Sequence, residues 1–94
     1  FVLPSYIKKI NDEAFIGCSK LKFITILEDS KLEIIGKSAF YKTNIDAIFI
    51  PKNVKVIDDN AFKSCTYLHT INFAEDSKLE IIGKSALMVL QLKK

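Results

Sequence analysis

Three side chains of this chain could serve as soft metal ligands or as a nucleophile with its base: Cys18, Cys65 and His69. Zinc needs three or four such ligands in tetrahedral geometry, and a cysteine nucleophile needs a histidine within hydrogen-bond reach. Cys65 and His69 are four residues apart, whereas Cys18 is far from both in the sequence. We therefore expect no metal site, no cofactor and no catalytic residue, and we predict a non-enzymatic protein.

A second group with potential chemistry is the acidic run Asp58, Asp59 and Asn60, whose oxygen atoms could bind calcium. A calcium loop has alternating acids, a central glycine and a distal glutamate, and none of these follows here. Capping of a short helix explains the run better, because Asp and Asn accept hydrogen bonds from free backbone amides.

The charge and composition argue against nucleic acid and membrane partners. The chain has 94 residues and a net charge of +3, but all 14 basic residues are lysines, and arginine is the side chain suited to bidentate phosphate contacts. Lysines recur once per repeat among acidic residues, which indicates a solvated face (Lys8, Lys31, Lys55 and Lys78). No run of eighteen apolar residues occurs, so we expect no membrane insertion.

The elements that position these residues are repeats. Residues 28–39 return unchanged as residues 75–86, an offset of 47, and residues 3–26 run alongside residues 50–73 with many identities. Each 47-residue unit divides again, because an Ala-Phe pair recurs at spacings of 25, 22 and 25, with Leu for Phe in the last copy. Repeats of this length stack into a solenoid. We predict one array over residues 1–94, with about four repeats of 22–25 residues and no separate domains.

Each repeat contains one segment with strand character, at residues 21–26, 45–50 and 68–73. β-Branched residues crowd the end of each segment, and the segments recur in the same sense after each turn of chain. We predict that they form one parallel ribbon-like sheet. The fourth copy departs from the pattern over residues 87–92.

Two further positions build the inside of each predicted coil. An apolar pair three residues apart, such as Leu32 and Ile35, should form the second wall of the core. The next residue, such as Gly36, is of a type that tolerates a left-handed backbone or caps a helix start, and it precedes a predicted single helical turn that carries the Ala-Phe pair. The large residues should stack as a buried spine (Phe15, Phe40, Phe62 and Leu87). Cys18 and Cys65 share a position with Thr43, so we expect buried, slowly reacting free thiols there.

The pattern over residues 45–65, Ile-x-x-Ile-x-Ile followed by Pro-x-x-Val-x-x-Ile-x-x-x-Ala-Phe-x-x-Cys, resembles the BspA-like class of leucine-rich repeats. That class occurs in surface proteins of bacteria and of parasitic protozoa. The resemblance implies an α/β fold: a right-handed solenoid with a parallel β-sheet on one face and short helical turns and loops opposite. It also implies a cell-surface or secreted protein that functions in adhesion or in binding host proteins.

The predicted sheet presents the candidate binding face. Ile24, Ile26, Ile48 and Ile50 take the inward places, which leaves outward residues and a polar rim (Phe23, Thr25, Ala47, Phe49, Thr70 and Asn72, with Lys22, Asp46 and His69 at the rim). Phe23 and Phe49 should form one apolar patch, and outward aromatic residues concentrate binding energy at protein interfaces.

We expect a host or extracellular-matrix protein as the partner of this face. Two alternatives remain open: a structural spacer, and an intracellular scaffold with recognition elsewhere. The chain begins and ends within a repeat, which suggests a fragment of a longer array whose uncapped ends could support oligomers.

Overall fold

The computed structural model describes residues 1–88 as four stacked coils built from short parallel strands and tight turns. The six strands are β1 (Lys9–Ile10), β2 (Ile34–Ile35), β3 (Ala47–Ile50), β4 (Val56–Ile57), β5 (Thr70–Phe73) and β6 (Ile81–Ile82). We number the coils in chain order: coil 1 is residues 1–20, coil 2 is 21–44, coil 3 is 45–67 and coil 4 is 68–88. Residues 89–92 of the irregular fourth repeat lie outside the described part.

The strands form two sheets, where the sequence predicted one. The larger sheet pairs β1, β2, β4 and β6 in that order, all parallel, with one two-residue strand from each coil. Its members come from the apolar pairs that were predicted to be only a wall of the core. A two-residue strand has no alternating pattern to reveal it. It forms because successive coils bring β-branched residues into register, as with Ile35 and Ile57.

The predicted strands form the second, smaller sheet, and they are shorter than expected. β3 pairs with β5 in parallel, and Val2 makes an isolated parallel bridge with Thr25. Segment 21–26 therefore contributes only this bridge, and the two pairs do not join into one ribbon within residues 1–88. The segments of coils 2 and 4 begin as turns, because the amides of Leu21 and Leu68 each donate to a carbonyl three residues back.

Tight turns replace the predicted helical turn, and residues 1–88 contain no helix. The residue before the alanine of each Ala-Phe or Ala-Leu pair has a positive φ, between 54° and 61°, at Glu13, Ser38, Asn60 and Ser85. A left-handed residue at this point stops a right-handed helix from forming. The next amides then bond to the neighbouring coil: Phe40 donates to Ala61 at 2.8 Å and Phe62 donates to Ala86 at 2.9 Å. Each coil therefore has three sides that bond to neighbouring coils: its segment of the larger sheet, its segment of the smaller sheet and this turn.

The core lies between these three sides. Phe40 and Phe62 are completely buried, and their rings stack with centroids 5.2 Å apart and 4° between planes. Phe15 continues the stack below Phe40, also at 5.2 Å, and Leu87 packs against the core in coil 4. The predicted stack is confirmed for Phe15, Phe40 and Phe62. The predicted burial is wrong for Phe15 and Leu87, which are half-buried because they lie in the first and the last of the described coils.

Candidate functional site

The outward face of the smaller sheet follows from strict alternation along its strands. Ile24, Ile26, Ile48 and Ile50 point inward and retain between 0 and 8% of their accessible surface. The residues between them therefore point outward, because successive side chains of a strand alternate sides. Phe23 is 66% exposed, whereas Phe49 is half-buried.

Strand register places the other predicted outward residues in rows across the coils. Ala47 lies beside Thr70 and Phe49 lies beside Asn72 in the β3–β5 pair. Thr25 lies beside Val2 in the isolated bridge, and both side chains are exposed. Every residue predicted for this face is exposed or half-buried. Their positions agree with an outward orientation, while their role in binding stays a prediction.

The predicted rim runs along one edge of this face. Lys22 and His69 are exposed and Asp46 is half-buried. The backbone amide of His69 donates to the carbonyl of Asp46 at 3.0 Å, which holds coil 4 against coil 3 at the start of the strands. The His69 ring is also tied to the face, because its Nδ1 atom lies 2.9 Å from the Thr70 hydroxyl.

Two clefts flank the face, and they divide its aromatic residues. The first has a volume of about 390 Å³ and lies across coils 2 and 3 (Lys22, Phe23, Asn44, Asp46 and Tyr67). The second has a volume of about 420 Å³ and lies at the far end of the strands (Glu28, Phe49, Lys52, Phe73, Ala74, Glu75 and Asp76). Phe23 and Phe49 therefore line different clefts, where the sequence predicted a single patch.

Sequence reasoning missed two residues of the first cleft. Tyr67 is 63% exposed and lies in the turn before the strand of coil 4, outside the alternating segment that defined the face. Asn44 occupies the equivalent place before the strand of coil 3, and its side-chain amide donates to the Ser19 carbonyl at 2.7 Å. An aromatic residue in the turn two residues before the rim residue His69 was the signal available in the sequence.

Of the cysteines considered for chemistry, Cys65 has a structural role in the core. Cys65 is fully buried, and its thiol donates to the Phe40 carbonyl at 2.9 Å and lies 3.4 Å from the Thr43 hydroxyl. Burial raises the pKa of the Cys65 thiol, although its hydrogen bonds with Thr43 act in the opposite direction. Cys18 is exposed, so the prediction of a buried thiol there is wrong: within residues 1–88 no coil lies beneath coil 1 to cover the position.

The carboxylates of the acidic run accept hydrogen bonds from backbone amides, one between coils and one within coil 3. Asp59 accepts a hydrogen bond from the Lys84 amide at 2.8 Å, and Asp58 accepts one from the Asp59 amide at the same distance. These carboxylates do not cap a helix as predicted, because a turn takes its place. Within residues 1–88, no cluster of three or more His, Cys, Asp or Glu side chains could hold a metal ion. The lysines that recur once per repeat are all exposed.

Stacked coils of 22–25 residues, with parallel strands, inward Ile and Leu residues and a phenylalanine spine, define a leucine-rich-repeat array. A family model described as "BspA type Leucine rich repeat region (6 copies)" matches residues 1–94. The chain belongs to this family, as its sequence pattern indicated. No helix among residues 1–88 is long and apolar enough to cross a membrane.

Two solved structures are similar to the chain. One is the pneumococcal vaccine antigen PcpA, with 36% sequence identity and a TM-score of 0.86 over 90% of this chain. The chain spans 21% of the length of that structure. The other is a leucine rich cell surface protein from Faecalibacterium prausnitzii A2-165, with 17% identity and a TM-score of 0.44, covering 87% of this chain and 42% of that one. A search of curated proteins found no match.

Proposed function

We propose that this chain is a non-enzymatic protein-binding module of a cell-surface or secreted repeat protein, and that the outward face of its smaller sheet contacts the partner. The observation that carries the proposal is the exposure of Phe23, 66% of whose surface is open to solvent on a hydrogen-bonded face. Large aromatic side chains on a rigid surface lose little conformational entropy on binding and are enriched in interface hot spots.

The surroundings of Phe23 support an interface. Lys22 and Asp46 line the same cleft as the ring and carry opposite charges, and Tyr67 adds a second exposed ring. Interfaces combine apolar anchors with a polar rim that fixes the register of the partner. The proposed partner is a host or extracellular-matrix protein. The similarity to a pneumococcal vaccine antigen supports a surface location.

Binding can be tested by passing the purified chain over a panel of immobilised extracellular-matrix proteins and measuring affinity by surface plasmon resonance. We expect at least one protein to bind, and the double variant Phe23→Ser with Phe49→Ser to weaken that binding by about 30-fold or more, the loss for one hot-spot residue. The matched control is Ile16→Ser, which changes a residue that is 42% exposed in the turn that carries the Ala-Phe pair.

The variants separate this proposal from its alternatives. A folded double variant that binds as tightly as the parent would remove this face as the site. Absence of binding across the panel would favour the spacer or scaffold role. Antibody labelling of intact and permeabilised cells of the source organism tests location independently, because only a surface protein is labelled before permeabilisation.

A further inference from the structure

The second cleft lies where a short turn of the chain is bordered by two longer ones. Ile26 and Leu32, the buried residues that flank the turn of coil 2, are six positions apart, whereas Ile50 and Val54 in coil 3 are four positions apart. Residues 73–79 of coil 4 repeat the longer spacing of coil 2. All three turns belong to the described residues, so this difference in turn length is internal to the array.

The two longer turns bring acidic side chains to the walls of the cleft. Glu28 comes from coil 2, Glu75 and Asp76 come from coil 4, and all three are exposed. Lys52, in the shorter turn, is the only basic residue among the described residues that line the cleft. The lining therefore carries three negative charges and one positive charge, on a chain whose net charge is +3. This local excess of negative charge favours a cationic ligand.

The same cleft contains apolar surface from the smaller sheet. Phe49 points outward from β3, is half-buried and lines the cleft together with Ala74. An aromatic ring attracts a cation that lies over its face, and the attraction is strongest where the cation is partly removed from water. A cationic group on an apolar stem therefore matches both the walls and the floor.

The acidic side chains do not converge on one point. Within residues 1–88, no three His, Cys, Asp or Glu side chains are placed to hold a metal ion. A bare cation would therefore contact only part of the lining. A guanidinium group is wider, because it is planar, donates five hydrogen bonds in a fixed fork, pairs with carboxylates and stacks on aromatic rings. The volume of about 420 Å³ is within the range of small-ligand sites.

We propose that the second cleft binds an arginine side chain of the protein partner, an inference that rests on the proposed binding function of this face. The guanidinium group lies over the Phe49 ring. It donates hydrogen bonds to Glu28 on one wall and to Glu75 and Asp76 on the other. Lys52 opposes binding by repulsion between like charges. The partner is thereby defined by an exposed arginine at its contact surface.

Titration with a single arginine tests the cleft without a partner protein. The probe is Nα-acetyl-arginine methylamide, added to the isotope-labelled chain while the backbone amide signals are followed by NMR. We expect saturable shifts at Lys52, Glu75 and Asp76, with a dissociation constant in the millimolar range. Nα-acetyl-citrulline methylamide is the matched control probe, because it has nearly the same shape and no charge, and it should bind at least about 10-fold more weakly.

Variants of the walls and of the short turn should change the affinity for the arginine probe in opposite directions. Glu75→Gln with Asp76→Asn should weaken it at least about 10-fold, because two charged acceptors are lost. The matched control is Glu33→Gln with Glu80→Gln, which removes the same net charge from two exposed acids that do not line the cleft. Lys52→Gln should strengthen binding by about threefold, since it removes the like charge.

Three results would overturn the inference: no saturable shifts at millimolar concentrations of the arginine probe, equal binding of the citrulline probe, or equal affinity of the Glu75→Gln with Asp76→Asn variant and its control. None of them bears on the proposed function, because no partner protein takes part. In the plasmon resonance assay, a matrix protein that loses affinity with Phe23→Ser and keeps it with Glu75→Gln and Asp76→Asn would support the proposed function and overturn this inference.

Discussion

Removing the central ring of the spine measures how strongly the coils depend on one another. Phe40 is completely buried, and it stacks on Phe62 at 5.2 Å on one side and on Phe15 at 5.2 Å on the other. Phe40→Ala forfeits the transfer free energy of the ring and leaves a cavity, about 3–5 kcal/mol for a buried phenylalanine. Because two aromatic contacts are lost together, we expect the upper part of that range.

A loss of this size should be visible in thermal denaturation followed by circular dichroism. For a domain of this length, each kcal/mol lowers the melting temperature by roughly 4–8 °C, so Phe40→Ala should lower it by about 12 °C at the least. Phe40→Leu is the matched control, because Leu87 fills the same position in coil 4 and keeps most of the apolar volume. We expect it to cost less than half as much as Phe40→Ala.

The end of the spine provides the comparison that can refute this reasoning. Phe15 is half-buried and stacks on only one ring of the spine, although Phe1 contacts it edge-on at 5.7 Å. Phe15→Ala should therefore be clearly milder than Phe40→Ala. If the two variants melt at the same temperature, burial between two coils does not set the energetics of the spine.

Two further predictions follow from local contacts. Cys18 should react with a maleimide at the rate of a free peptide thiol while Cys65 reacts only on unfolding, and mass spectrometry of the partly labelled chain would show the order; labelling of Cys65 first would contradict its burial. Because burial raises the pKa of Cys65, its contribution to stability is full below the ordinary value of 9.0 and is lost as the pH rises through the folded value, so urea unfolding should become easier above pH 9.0 and Cys65→Ala should reduce that dependence. Gly36→Ala should destabilise by about 1–3 kcal/mol in urea titrations, because the added Cβ would lie 2.7 Å from the Asp12 amide nitrogen; an unchanged midpoint would show that the coils can separate there.

The sequence predicted the contents of the core better than the form of the backbone. Repetition identified Ile48, Ile50, Phe40 and Phe62 as inward residues, because a position that stays apolar in every repeat must face the hydrophobic core that all coils share. All four are buried. The backbone conformation depends instead on hydrogen bonds between coils. A turn such as that at Ser38 is stable because its amides bond to the next coil, and no local pattern contains that information.

End effects were also beyond sequence reasoning, because equivalent residues have equal sequence patterns and unequal neighbours. Cys18 and Cys65 occupy the same place in the repeat, yet within residues 1–88 only Cys65 has a coil on each side, and Cys65 is buried while Cys18 is exposed. The candidate face could likewise be predicted only in part. Alternation located Phe23 on the outside, but the clefts that separate it from Phe49 depend on the shapes of the turns between strands.

Gly36 and Gly83 lie 47 residues apart, and they show why the contacts between coils recur every two coils. Gly36 was expected to permit a left-handed backbone, but of the three glycines only Gly17 has a positive φ. Gly36 is needed for space instead. A side chain there would collide with the Asn11 backbone and with Asp12, because coils 1 and 2 approach closely at this point.

That close approach makes a hydrogen bond possible that alternates along the array. Asp12 of coil 1 accepts from the Lys37 amide of coil 2 at 2.9 Å, and Asp59 of coil 3 accepts from the Lys84 amide of coil 4 at 2.8 Å. Between coils 2 and 3 the same bond cannot form, since Lys37 has no acceptor to offer, and Asp58 satisfies the Asp59 amide from within its own coil. A coil with an aspartate therefore precedes a coil with a glycine, and the smallest unit that repeats these contacts is two coils long. The 47-residue period of the sequence reflects this alternation of hydrogen bonds.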